Sequence, residues 1–161
     1  MRRRKSILLG LGSVLAVLVG LHLLVVRSSI IVGRSMTPTL QPWDYCLTLR
    51  VRAYQPKRGD IVIFHNADPP IEHFIKRVVA LPGETVAIRN GVVLLDGRPL
   101  AEPYTAPNPA WNLPATPVPA NKIFVLSDNR SALPEDYVQG LVATRLVQAR
   151  LVWHWRWKGH G

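Results

Sequence analysis

The longest apolar stretch is Ile7 to Val26, a run of 20 residues without Asp, Glu, Lys or Arg, preceded by Arg2, Arg3, Arg4 and Lys5. At 1.5 Å per residue, a helix of that length spans roughly 30 Å, the hydrocarbon thickness of a bilayer. The pattern predicts a transmembrane helix over 7–26 behind a short N-terminus, 1–6. A cleavable secretory signal is the competing reading. It asks for a shorter apolar core and a small-x-small site, whereas this run ends in Val25-Val26-Arg27-Ser28-Ser29. Four basic residues before the run against Arg27 after it place the N-terminus in the cytoplasm and residues 29–161 outside.

Beyond the run the pattern changes to short apolar stretches punctuated by Gly, Pro, Asn and Asp, which predicts strands and turns. Ser29 to Arg34 is extended, Trp43 to Arg52 alternates as a strand, and Gln55-Pro56-Lys57-Arg58-Gly59-Asp60 delivers the next strand, Ile61 to Phe64. Asn66 to Pro70 is a polar turn, and the strand from Phe74 stops at Pro82-Gly83. Thr85–Ile88 and Val92–Leu95 read as a hairpin around Asn90-Gly91, and Asp96-Gly97 turns the chain again. The stretch 98–121 holds seven prolines, too many for a helix or an interior strand, and is expected as a surface excursion, either a lid or docking loop or a segment without a role. Lys122–Leu126 returns to strand. The tail from Val142 to Lys158 alternates into Trp153, Trp155 and Trp157, which suits a core strand or a headgroup-level anchor equally.

Composition sharpens this picture in two places. The 161-residue chain carries a formal charge of +10, but the first 27 residues hold five basic groups and no acid, which leaves 15 basic against 10 acidic residues, or +5. Half of the basic excess therefore belongs to membrane topology, which weakens the case for nucleic-acid binding and leaves a modest attraction to anionic lipid. Cys46 is the only cysteine, so no intrachain disulfide forms; a lone thiol of this kind is expected as a small core residue.

Three stretches carry candidate chemistry. In Gly33-Arg34-Ser35-Met36-Thr37-Pro38-Thr39-Leu40, glycine permits close backbone approach and proline stiffens the exit, conditions for a fixed nucleophilic Ser35; the alternative is an ordinary turn with a solvated serine. In Phe74-Ile75-Lys76-Arg77-Val78, alternation puts Lys76 on a face with Phe74 and Val78 and turns Arg77 the other way. An ammonium among apolar neighbours loses hydration and its pKa falls toward the range of a base, unless its stem lies along the surface and the charge reaches water. The third stretch is Phe124-Val125-Leu126-Ser127-Asp128-Asn129-Arg130, followed by Gly140, with opposite charges and an amide at a turn. His65 and His73 with Asp60, Asp68 and Glu72 raise a Ser-His-Asp triad or a metal site, but no His-Glu-x-x-His pattern supports either, and no metal or cofactor is expected.

Taken together, Ser35-Met36-Thr37-Pro38-Thr39, Lys76-Arg77-Val78 with Leu81-Pro82-Gly83-Glu84, and Asp128-Asn129-Arg130 with Gly140, in that order behind one anchor, resemble the type I signal peptidases of bacteria. The resemblance covers roughly residues 1–155. It implies a mainly β fold of coiled antiparallel sheets behind a single N-terminal transmembrane helix, in a monomer of the bacterial plasma membrane. It implies a Ser35–Lys76 dyad that cuts signal peptides from exported preproteins after Ala-x-Ala through an acyl-enzyme. The Ser35 N–H would be the oxyanion donor, Ile30 to Gly33 would pair with the substrate, and Ile31, Met36, Leu40 and Ile75 would line small pockets. Arg77, Asp128, Asn129 and Arg130 would be structural support. Some members place a hydroxyl where this chain has Gly33, and the family's serine and Asp/Arg pair in the third motif appear as Leu133, Glu135 and Tyr137. Those departures keep two other readings in view: a relative dedicated to one pilin or conjugation substrate, and a catalytically silent membrane-tethered module for lipid or nucleic acid.

Overall fold

Among the described residues, alternation and turn chemistry resolve into eleven strands. In the computed structural model, residues 12, 20, 25–51, 55–65, 73–105, 111–131 and 140–156 are described. The strands are β1 (Val26–Ile30), β2 (Tyr45–Arg50), β3 (Ile61–His65), β4 (His73–Ala80), β5 (Thr85–Arg89), β6 (Val92–Leu95), β7 (Arg98–Pro99), β8 (Leu113–Pro117), β9 (Lys122–Leu126), β10 (Gly140–Ala143) and β11 (Val147–Trp155), with a 3-10 helix, Thr144–Leu146, before the last. All pairings are antiparallel, in a seven-stranded sheet of order β1-β2-β11-β3-β4-β9-β10 and a four-stranded sheet of order β7-β6-β5-β8.

The predicted transmembrane helix lies outside the described residues except for Gly12, Gly20 and Val25, which are helical, and Val26, which already belongs to β1. Among the described residues no helix is long and apolar enough to cross a membrane. The N-terminus 1–6, the turn at 66–70, Leu133, Glu135, Tyr137 and Trp157 also lie outside them.

Strand β9 shows how the two sheets share a core. Its Ile123 and Val125 pack with Val62, Phe64, Val78 and Val147 of the large sheet, while Phe124 and Leu126 pack with Val86, Ile88 and Val93 of the small one. Because both faces are covered, the strand is continuously apolar. At Asn90-Gly91 the left-handed angles of 47° and 78° give the primed turn that matches strand twist.

Two expectations change in detail. The Pro-rich stretch contributes β7 and β8, at the two edges of the small sheet, where Pro99, Pro114 and Pro117 forgo no interior ladder bond. The tail forms β11 in the middle of the large sheet, but Trp153 and Trp155 remain 49% and 46% exposed, so they are not core residues.

Candidate active site

Ser35 sits in the turn that links β1 to β2. The base of that turn is closed by Ile31 N–H to Asp44 O at 3.0 Å and Trp43 N–H to Ile31 O at 2.7 Å. Met36 and Leu40 plug it into a small core with Ile31, Cys46 and Ile61, and Leu40 N–H donates to Met36 O at 2.8 Å. From across the fold, Asn129 N–H donates to Ser35 O at 2.9 Å and its amide Nδ2 to Arg34 O at 3.2 Å. The half-buried serine is thus held by its own backbone while its side chain faces a groove.

Lys76 lies on β4, opposite Val62 of β3. Its neighbours on the same face, Phe74 and Val78, pack with Val62 and Phe64, and Lys76 itself is only 2% exposed. Burial pulls its ammonium from the ordinary 10.5 down to about 8, with the Asp128 carboxylate acting in the opposite direction. Ser35 and Lys76 line one groove of about 1270 Å³, together with Ile31, Gly33, Met36 and Ile75. Leu40, expected as pocket lining, is fully buried beneath the turn and is not among the groove residues.

The support residues form a connected set. Arg77 donates through Nε to Asp128 Oδ1 at 2.8 Å and through Nη2 to Asp128 Oδ2 at 2.6 Å, a bidentate pair, and through Nη1 to Gly59 O at 2.8 Å. The Thr39 hydroxyl donates to Asp128 Oδ2 at 2.5 Å, tying that pair to the serine's turn. Arg130 donates to Ser127 O at 2.6 Å and to Glu102. Ser131 donates through its hydroxyl to Asn129 Oδ1.

Of the other candidates, His73 lines the same groove and His65 does not. His65 and His73 face each other at the end of the β3–β4 pair, with ring centroids 5.7 Å apart. Among the described residues, no three of His, Cys, Asp and Glu gather as a metal-holding group. Cys46 is buried, and burial with the nearby Asp44 pushes its thiol up to about 11, far from a thiolate at neutral pH. Sequence reasoning did not single out the roles of Thr39, Glu102, Tyr104 or Arg156; a polar residue inside Thr-Pro-Thr was the one visible signal, for Thr39.

Comparison with known proteins places this geometry in a family. The signal peptidase family, peptidase S26, matches residues 4–152. A probable signal peptidase I-1 of Synechocystis sp. is 38% identical over 159 residues, covering 91% of this chain and 76% of that protein. A signal peptidase I of Leptolyngbya laminosa is 36% identical over 153 residues, covering 89% and 74%. A solved signal peptidase I from Enterococcus faecalis is 29% identical with a TM-score of 0.48, over 62% of this chain and 98% of that one. By the extent of the family match and these identities, the chain belongs to the signal peptidase family, peptidase S26, and is a serine endopeptidase.

Proposed function

We propose that this endopeptidase is a signal peptidase I that removes signal peptides from exported preproteins through a Ser35–Lys76 dyad, cutting after small-x-small sites of the Ala-x-Ala kind. The observation that carries the reading is a buried lysine, lowered to about 8, lining the same groove as a backbone-anchored serine. Neutral Lys76 takes the Ser35 proton as Oγ attacks the scissile carbonyl, and the Ser35 N–H stabilises the oxyanion. Collapse breaks the C–N bond, the lysine ammonium gives its proton to the departing amine, and an ester remains on Ser35. Water, deprotonated by Lys76, then hydrolyses that ester and restores the hydroxyl.

The substrate lies extended between residues 30–33 and β4, with alanine-sized side chains against Ile31, Met36 and Ile75. The protein works as a monomer, without cofactor or nucleic acid, anchored in the bacterial plasma membrane by 7–26 with its N-terminus cytoplasmic. Its catalytic domain lies on the outer face and rests on the bilayer, a placement supported by the exposed Ile30, Trp43, Tyr45, Trp153 and Trp155.

The test is cleavage of a preprotein ending in Ala-x-Ala by the intact chain in liposomes, beside Ser35→Ala and Lys76→Ala. Cutting after the second alanine by the intact chain alone is expected, with both variants losing at least ~1000-fold in kcat. Retained cutting by Lys76→Ala overturns the dyad and returns His73 to consideration as base. No cutting by the intact chain points to a dedicated pilin or conjugation substrate.

A further inference from the structure

The Pro-rich excursion reaches the site from an unexpected side. After β7 the chain turns over Glu102–Thr105, closed by Thr105 N–H to Glu102 O at 3.2 Å and the Thr105 hydroxyl to the same oxygen at 3.0 Å. The Glu102 carboxylate accepts from Arg130 at 2.6 and 3.2 Å, an ion pair in which Arg130 is 2% and Glu102 9% exposed. The Tyr104 hydroxyl donates to the same carboxylate at 3.1 Å, and the Arg77 guanidinium carbon lies 3.9 Å from the centre of the Tyr104 ring.

That contact fixes Arg77 in the one direction its hydrogen bonds leave open. Asp128 and Gly59 take its donors in the plane of the guanidinium, and the ring face takes the plane itself. Arg77 adjoins Lys76 in the chain and neutralises Asp128, whose negative charge favours a protonated lysine. The other cations near Lys76 are His73 on its own strand when protonated, Arg27 of β1, Arg50 of β2 and Arg145 of the 3-10 helix, all lining the same groove. None of these is paired with Asp128, whose charge is met by the Arg77 guanidinium and by the Thr39 hydroxyl.

We propose that Tyr104 is a positioning residue of the dyad: its ring pins the Arg77 guanidinium onto Asp128, and Glu102 fixes that ring through its hydroxyl and ties it to Arg130. This rests on Lys76 being the base. Burial and the Glu102 carboxylate push the Tyr104 phenol upward, so it stays a neutral donor at working pH.

The test uses the full chain in detergent, with Tyr104→Phe and then mono-, di- and trifluorinated phenylalanine at position 104. The series keeps ring size while stripping the negative face that holds the cation. Two readouts are followed against pH: kcat and KM on the Ala-x-Ala preprotein, and the Cε titration of Lys76 by 13C NMR. Among five lysines, that signal is the one missing from Lys76→Ala. Fluorination is expected to move the Lys76 midpoint upward stepwise, by about half a unit to one unit in all, with the acid limb of kcat/KM moving alongside. At neutral pH kcat then falls about three- to tenfold with KM changed less than about twofold. A midpoint that stays flat across the series overturns the proposal, even where the melting temperature drops, because that pattern is packing alone. If the intact chain does not cut, the general-export reading falls, while the NMR midpoint still decides whether Tyr104 acts on Lys76.

Discussion

Lys76 carries opposite consequences for rate and for stability. As the proposed base it must be neutral, so kcat/KM is expected to rise with pH through about 8 and level off above it, a limb absent in Lys76→Ala. For stability, the folded state holds this amine at about 8 against an ordinary 10.5, so between those values the unfolded chain binds more protons and stability rises with pH. Below about pH 8 the penalty is fully present. Lys76→Met, which keeps length and removes the charge, is therefore expected to stabilise the protein at pH 7 by on the order of 3 kcal/mol while abolishing cleavage. The gain should fade as pH climbs toward 10.5. Denaturant midpoints at pH 7 and pH 10 check this, and an equal gain at both would mean that charge burial is not its source. Of this site, sequence alone placed Lys76 on an apolar strand face and Ser35 in a stiffened turn. That they share a groove is a long-range fact that alternation cannot express. Leu40 was misplaced because position within a turn does not tell groove from core.

Among the elements, the strands followed their alternation and their Asn-Gly, Asp-Gly and Pro-Gly turns closely, because those signals are local. What escaped was non-local. Nothing in residues 147–155 says that β11 inserts between β2 and β3, and β7 and β8 hid among prolines that edge strands tolerate. The insertion of β11 matters for the site. Beyond Trp155, opposite Tyr45, Arg156 donates to Pro38 O at 3.2 Å and Thr39 O at 3.1 Å, and to the buried Asp44 carboxylate at 3.3 Å. The end of the last strand thereby clips the turn that follows Ser35. Arg156→Ala is expected to cost about 1 kcal/mol of stability and to lower kcat several-fold, with KM for a short peptide little changed. Parallel melting and turnover measurements separate the two effects. An unchanged kcat at reduced stability would show that Asn129 and the Thr39–Asp128 bond hold the turn unaided.

For the whole molecule, the groove runs beside a row of exposed apolar side chains, with Ile30 belonging to both. Register places Ile30, Tyr45 and Trp155 in a single row across β1, β2 and β11, with Trp153 opposite Leu47 in the next row. Ile30, Tyr45, Trp153 and Trp155 are exposed large apolar side chains, as is Trp43 at the turn before β2. Such a contiguous apolar face suits the headgroup region, where tryptophan sits with its ring in apolar surroundings and its N–H wet. The same β1 runs on into Ile31 and Gly33 of the groove, so a domain resting on this face would open its groove at the membrane surface, where signal peptides emerge. Single-tryptophan chains reconstituted in vesicles test the arrangement. The chain keeping Trp153 should be quenched by lipids brominated high on the acyl chain, whereas the chain keeping Trp111, which packs against the core between the two sheets, should not. Trp153→Glu combined with Trp155→Glu should raise KM for a membrane-embedded preprotein about tenfold and leave a soluble Ala-x-Ala peptide unaffected. Equal quenching of Trp153 and Trp111, or equal loss on both substrates, would mean that the aromatic face serves the fold and not the membrane.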